Sequence, residues 1–373
     1  MKRVQASYIL KDLNQKMVLV AGPRQVGKTF LSKQIANEFN HPLYLSYDHV
    51  EDRQIIEEQA WLARTDLLIL DELHKMPDWK NYLKGLYDTR SEHLKILVTG
   101  SARLDIFNHM GDSLAGRYFL HRLLPLSPAE LTQLKKPYNL EDLLNKGGFP
   151  EPFLAQDIVD ANRWRLQYIN SMLATDVFDF DKIQNIRAIK LIFELLRTKV
   201  GSPVSYQSLA EDVNISPVTV KKYIQILEAL YILFSVTPFS NNIARSLLKE
   251  PKIYFFDTGL VKGDEGSQLE NLVAISLLKH CYAKVDYHAE NHALHYLRTK
   301  EKEEVDFALV KDDNILQIIE VKSSNKDISK SLYTFHKKYD FPAIQVVKNL
   351  RQERMVGDIK VMKLENFLSE LFI

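Results

Sequence analysis

Short apolar runs separated by amphipathic stretches organise the first third of the chain. Residues 17–21, 43–47, 67–70 and 94–99 read as buried strands. Between them lie stretches with helical spacing, such as Leu31, Ile35 and Phe39, four apart on one face. Strands alternating with helices predict a parallel α/β sheet over residues 1–135. Residues 136–184 are mostly helical in pattern and read as a lid or linker, with Gly147-Gly148-Phe149-Pro150 as a turn between two helical pieces. The pattern changes again over 185–256. Helices are expected at 186–200, at 206–213 and from Ser216-Pro217 to about residue 230, where Ser216 supplies an N-cap and Pro217 the first helical position. Two β-rich runs follow, 231–236 and 252–256. Three helices and a hairpin predict a winged helix-turn-helix. The remainder, 257–373, opens with an apolar helix at 269–280 and continues as short strands at 284–288, 293–298, 304–310 and 315–322.

Composition narrows the class. The 373 residues are 46% hydrophobic, enough for two or three cored domains and too many for a disordered chain. The formal net charge is +1, so any nucleic-acid surface has to be a local patch. Cys281 is the single cysteine, which excludes a disulfide framework and cysteine-based zinc sites and fits a reducing cytoplasm. The N-terminus lacks the apolar core of a signal peptide, and no apolar run is long enough to span a bilayer, so a cytoplasmic protein without a membrane partner is expected.

The strongest chemical signal is Gly22-Pro23-Arg24-Gln25-Val26-Gly27-Lys28-Thr29, a complete G-x-x-x-x-G-K-T loop between an expected strand and an expected helix. In that setting backbone N–H groups face a nucleotide's phosphates, Lys28 reaches the β- and γ-phosphates, and the Thr29 hydroxyl ligates Mg²⁺. Phe30, next in line, completes the expected nucleotide-binding set. Leu67-Leu68-Ile69-Leu70-Asp71-Glu72 adds a strand ending in two acids: Asp71 for the Mg²⁺ shell, Glu72 to polarise the attacking water. A third strand ends in Thr99-Gly100-Ser101-Ala102-Arg103. Thr99 and Ser101 are candidates to sense the γ-phosphate. Arg103 and Arg117 are candidates to bring positive charge to the transition state, in cis or to a neighbouring subunit.

A second cluster lies far downstream. Glu304-Val305-Asp306-Phe307 and Glu320-Val321-Lys322 sit on two expected strands joined by residues 311–314, which places Asp306 almost opposite Glu320. Strand alternation puts Glu320 and Lys322 on one face. Two carboxylates that hold Mg²⁺ beside a lysine that orients water have the chemistry of metal-dependent phosphodiester hydrolysis. His288, His292 and His295 read as half-buried sheet residues. On the third helix of the winged-helix candidate, Val220, Ile224 and Leu227 face inward, and Lys221, Lys222 and Gln225 face away; Thr219 lies near its start. Two lysines are a thin electrostatic footprint for DNA.

Together the phosphate loop, the Leu-Asp-Glu strand, the Thr-Gly-Ser strand end, Ala115-Gly116-Arg117-Tyr118 and Leu124-Pro125-Leu126-Ser127 resemble one group of AAA-superfamily ATPases. These bacterial and archaeal proteins pair an N-terminal AAA-type core with a C-terminal domain of unknown function. The resemblance extends through Gly147 to Glu151, Pro251 to Leu260, Glu270-Asn271, Asp306 and Glu320 to Lys322, and so covers nearly the whole chain. It implies ATP as the nucleotide and Mg²⁺ as the metal. It leaves a homo-oligomer open, because relatives often form rings with an arginine supplied in trans. The wider AAA pattern has Asn at the first sensor, where this chain has Thr99 and Ser101. The spacing of Asp306 from Glu320-Val321-Lys322 resembles the PD-(D/E)xK nuclease superfamily, which implies a restriction-endonuclease-like α/β domain, with Glu270 matching an additional metal-binding acid of some members. Two readings follow. In one, an ATPase drives a DNA-directed half whose nuclease centre is Glu270, Asp306, Glu320 and Lys322. In the other, a nucleotide-driven switch binds a protein partner and cuts nothing.

Overall fold

The apolar runs of the N-terminal third form β1 (Met17–Ala21), β2 (Pro42–Ser46), β3 (Leu67–Asp71), β4 (Lys95–Gly100) and β5 (Tyr118–Arg122). The computed structural model describes residues 2–100, 114–173, 185–240, 250–299, 301–324 and 327–373. It comprises two units, Met1–Leu124 and Pro125–Ile373. In the first, the five strands pair in the order β2-β3-β4-β1-β5, all parallel. β1 and β3 are buried at every position, as continuous apolar runs in a parallel sheet should be. The register pairs Asp71 with Thr99 and Ala21 with Gly100, so the carboxyl ends of β1, β3 and β4 form one row. One face packs Leu19, Leu45, Leu68, Leu70 and Val98 against Leu73, Trp79 and Leu83. The surrounding helices are α1 (Gln5–Leu13), α2 (Lys28–Ala36), α3 (Val50–Glu58) and α4 (Trp79–Thr89). Helix α2 ends at Ala36, so Phe39 lies beyond it.

The second unit begins with helices Pro128–Gln133, Leu140–Asn145, Pro150–Phe153 and Ile158–Ser171. Helices Ile186–Arg197, Tyr206–Val213 and Pro217–Ala229 follow, with Ser216 accepting from Thr219 N as a cap. An antiparallel pair comes next, β6 (Leu233–Val236) with β7 (Lys252–Phe255). The helix Glu265–His288 then leads into β8 (His292–Arg298), β9 (Glu304–Lys311), β10 (Asn314–Ser324), β11 (Ala343–Asn349), β12 (Arg354–Val356) and β13 (Ile359–Lys363). These form a mixed sheet in the order β12-β13-β11-β10-β9-β8. Asp312 and Asp313, both at positive φ, make the tight β9–β10 turn.

One expected strand is not a strand. Residues 284–288 are the last turn of the helix Glu265–His288, which stops where Ala289 turns left-handed at φ 56. Five residues of mixed polarity carry too little periodicity to separate the two forms. The boundaries expected at 135/136, 184/185 and 256/257 are crossed by ion pairs. Lys279 reaches Glu130, Arg165 reaches Asp257, and Lys252 reaches Glu304. Among the described residues no helix is long and apolar enough to cross a membrane.

Candidate functional site

At the carboxyl end of β1 the chain turns through residues 22–27 into α2. Gly27, at φ 100, adopts a backbone conformation that a side chain disfavours, and no side chain caps the helix it starts. The first N–H groups of α2 thus receive no bond from a capping side chain and, with the helix dipole, suit an anion. The loop is braced from below by Arg3, which is 4% exposed. Its guanidinium donates to Val26 O at 2.8 Å and Leu124 O at 2.6 Å. The buried Lys28 ammonium curls back onto Gly22 O at 2.9 Å and Pro23 O at 2.8 Å. Thr29 and Phe30 are exposed on the first turn, while Val26 is fully buried and Arg24 half-buried.

Asp71, at the end of β3, has both oxygens occupied. Oδ1 accepts from the Thr99 hydroxyl and from Glu72 N at 3.1 Å. Oδ2 accepts from the Tyr44 hydroxyl and from Thr29 Oγ1 at 3.4 Å. Hydroxyl and carboxylate oxygens are the hard donors that Mg²⁺ prefers, so this set fits the ion. Glu72 is held at φ 55 with its N–H on Thr99 O at 2.9 Å. Its Oε2 is buried without a hydrogen-bond partner among the described residues, with His74 Nε2 at 3.4 Å, ion-pair distance only. Burial, and secondarily Asp71, push the Glu72 carboxyl above the ordinary range, although Lys28 works against the shift.

Two expectations change here. Thr99 is fully buried and spends its hydroxyl on Asp71, so it stands behind the acid rather than open to a phosphate. Arg117 is at the wrong end of the sheet for a role in its own subunit. Arg117 O accepts from Met17 N and β5 runs parallel to β1, so Arg117 lies five residues of extended chain from Gly22, about 16 Å. Its guanidinium is engaged by Asp88 at 2.8 and 3.0 Å. Ser101 and Arg103 lie outside the described residues. Sequence patterns did not point to Tyr44 or Arg3, which belong to no motif and reach the site through strand register and the segment before the first helix.

Burial pushes the Lys28 ammonium down to about 8, against the raising influence of Glu72 and Asp71. A triphosphate binds the charged form, and its own charge raises that pKa in the complex. Nucleotide affinity should therefore be level below pH 8 and fall above it, by up to about tenfold per pH unit. Titration of a fluorescent nucleotide from about pH 6.5 to 9.5 checks this, and constant affinity across that range rules it out.

In the second unit the register that pairs Ile318 with Ala308 and Ile319 with Phe307 carries Asp306 opposite Glu320. Asp306 Oδ2 accepts from Val321 N at 2.8 Å, and Lys322 Nζ lies 2.7 Å from Glu320 Oε1. Glu270, on the helix Glu265–His288, accepts from Tyr254 OH at 2.7 Å and Lys252 Nζ at 3.2 Å. Burial, then the neighbouring Asp306, push the Glu270 carboxyl up to about 7. Glu320 is raised for the same two reasons. The metal reading of Glu270, Asp306 and Glu320 does not fit this arrangement. Among the described residues no three His, Cys, Asp or Glu side chains are gathered so as to hold a metal ion. Each of the three acids already has an N–H, O–H or ammonium partner, and the ammonium of Lys252 lies 3.2 Å from Glu270 and 3.8 Å from Asp306.

Residues 14–132 match the family model described as "AAA domain". Residues 138–263 and 265–367 match two domains of unknown function, DUF8612 and DUF4143. An uncharacterized protein of Mycobacterium tuberculosis is 27% identical over 246 residues, 66% of this chain and 55% of that protein. The chain thus spans about half the length of this relative. An uncharacterized protein of Methanocaldococcus jannaschii is 23% identical over 356 residues, 85% of this chain and 78% of its own. A Walker-type ATPase of Pyrococcus abyssi aligns in structure at TM-score 0.43 and 12% identity, over 69% of this chain and 93% of that one. The loop, the parallel sheet and the match of residues 14–132 make the first unit similar to AAA-type P-loop domains.

Proposed function

We propose that the chain hydrolyses ATP with Mg²⁺ in its first unit and uses the nucleotide state to control what its second unit binds. One observation carries the first half: Lys28, Thr29, Asp71 and Glu72 stand at the carboxyl ends of strands in one parallel sheet, around the uncapped start of α2. In this reading Lys28 exchanges the Gly22 and Pro23 carbonyls for phosphate oxygens. The α2 N–H groups hold the rest of the phosphate chain. Glu72, whose Oε2 has no hydrogen-bond partner among the described residues, takes the proton of the attacking water. Thr29 and Asp71 would hold Mg²⁺, which would supply positive charge against the phosphates. Full-length protein should turn over ATP with Mg²⁺ and lose both turnover and nucleotide binding with Lys28→Ala. Turnover that survives Lys28→Ala would sink the assignment.

For the second unit the prior occupation of Glu270, Asp306 and Glu320 favours binding over cutting. Helices Ile186–Arg197, Tyr206–Val213 and Pro217–Ala229 with the β6–β7 pair support a winged helix-turn-helix reading. Lys221 and Gln225 are exposed on its third helix, and Lys222 is half-buried. Two assays separate the alternatives. Duplex DNA binding that weakens with salt and with Lys221→Ala supports a DNA-directed output; its absence leaves a protein partner. Cleavage of single-stranded, duplex or branched DNA that is lost with Asp306→Ala would restore the nuclease reading.

A further inference from the structure

The geometry of the carboxylate centre points to an occupant that neither sequence spacing nor fold resemblance supplies. We propose that Lys252 is the resident cation of this centre, its ammonium standing where a divalent metal would stand, so that the folded chain holds no metal there. The proposal deepens the non-cutting reading of the second unit. Lys252 comes from β7, whereas the acids come from β9 and from the helix Glu265–His288. Its Nζ lies 2.8 Å from Glu304 Oε1, 3.2 Å from Glu270 Oε1 and 3.8 Å from Asp306 Oδ1. The side chain is 1% exposed. The Tyr296 ring closes a further side of the ammonium, its centroid 5.4 Å away, in the range of a cation–π contact.

Charge explains why the ammonium stays. Burial alone would lower its pKa, yet the opposing pull of Glu270, Asp306 and Glu304 outweighs burial and holds the pKa above the ordinary lysine value. In return the acids receive a counter-charge in a place where a bare carboxylate is costly. Mg²⁺ needs oxygens at about 2.1 Å in near-octahedral array. Here Asp306 Oδ2 is fixed on Val321 N, and its Oδ1 faces Lys252. Glu270 Oε1 is shared by Tyr254 and Lys252. Two cations among these acids would repel strongly in a buried site, so a metal enters only when the lysine leaves. Glu320 is 5% exposed, and its Oε2 has no hydrogen-bond partner among the described residues.

The test uses full-length protein without nucleotide, in an Asp71→Ala background so that the first unit contributes no metal. Bound Mn²⁺ is counted by electron paramagnetic resonance. Asp71→Ala alone should show no Mn²⁺ that Asp306→Asn removes. Adding Lys252→Ala should create a single Mn²⁺ site, which Asp306→Asn then abolishes. A well-folded Lys252→Ala chain that gains no site overturns the proposal. So does an Asp306-dependent site in the Asp71→Ala chain, and that result needs no Lys252 variant to fold. Neither measurement depends on DNA cleavage, so a chain that binds Mn²⁺ at Asp306 yet cuts nothing would sink this inference and leave the binding reading intact.

Discussion

Glu72→Gln is expected to leave ATP bound and to slow its hydrolysis by about 10²–10⁴-fold, the usual worth of a positioned general base. The replacement keeps the shape of the side chain and removes its basicity. Glu72 is suited to the task by its surroundings. The residue follows directly on β3, and its backbone is held left-handed at φ 55 while its N–H is tied to Thr99 O. Such a conformation costs on the order of 1–3 kcal/mol and persists only where neighbours enforce it. Its Oε2 is buried and makes no hydrogen bond among the described residues, with His74 Nε2 at ion-pair distance. The raised pKa makes the carboxylate a better base than an exposed one, and it adds a second readout. Because the reaction needs the ionised form, turnover should fall as pH drops through a value above that of an ordinary glutamate. Single-turnover hydrolysis alongside nucleotide binding separates the two steps. Unchanged turnover in Glu72→Gln would refute its role as the base.

The parts of this site that sequence reveals are those whose chemistry is local. Gly22 to Thr29 and the Asp71-Glu72 pair are contiguous, and each needs its neighbours in the chain to function. Residues that arrive singly through register are silent. Tyr44 is an ordinary strand tyrosine until β2 pairs with β3 and brings its hydroxyl to Asp71. Arg117 shows the converse: as a candidate cation in its own subunit it is displaced, because parallel pairing of β5 with β1 puts it at the amino end of the sheet. In the second unit, local spacing places Asp306 opposite Glu320 because a tight hairpin joins them. Lys252 escapes it because the strand that carries it lies more than fifty residues earlier. Several motif residues there have structural partners rather than ligands. Asn271 closes a two-way pair with the Phe255 backbone, accepting from its N–H at 2.7 Å and donating to its carbonyl at 2.9 Å.

The largest stability loss is expected at Arg165, where Arg165→Met should destabilise the second unit by about 3–5 kcal/mol through an abandoned buried carboxylate. Arg165 is 6% exposed and Asp257 is 1% exposed. The guanidinium donates from Nε to Asp257 Oδ2 at 2.7 Å, from Nη1 to Asn162 Oδ1 at 2.6 Å, and from Nη2 to the carbonyls of Asn145 and Lys146 at 3.2 and 3.1 Å. Asp257 uses its other oxygen to accept from Gly259 N at 3.1 Å. The Gly-Gly-Phe-Pro turn and the Phe-Asp-Thr-Gly-Leu segment are thus two walls of one ion-pair node. Gly147 lies against it at φ 76, where an added Cβ would meet Asp257 Oδ1 at 1.8 Å. Gly147→Ala should therefore destabilise the same unit by both strain and displacement of the acid. Changing both charged partners, Arg165→Met with Asp257→Asn, should recover part of the loss, because no charge is then left unpaired. Thermal unfolding of the full chain should show a transition lowered by roughly 6–20 °C in Arg165→Met. Nucleotide binding below that transition should stay intact, because the phosphate loop and its braces belong to the first unit. An unshifted transition would mean that the pair contributes nothing beyond what water supplies. A double variant no more stable than Arg165→Met would mean that lost packing, and not the stranded charge, sets the cost.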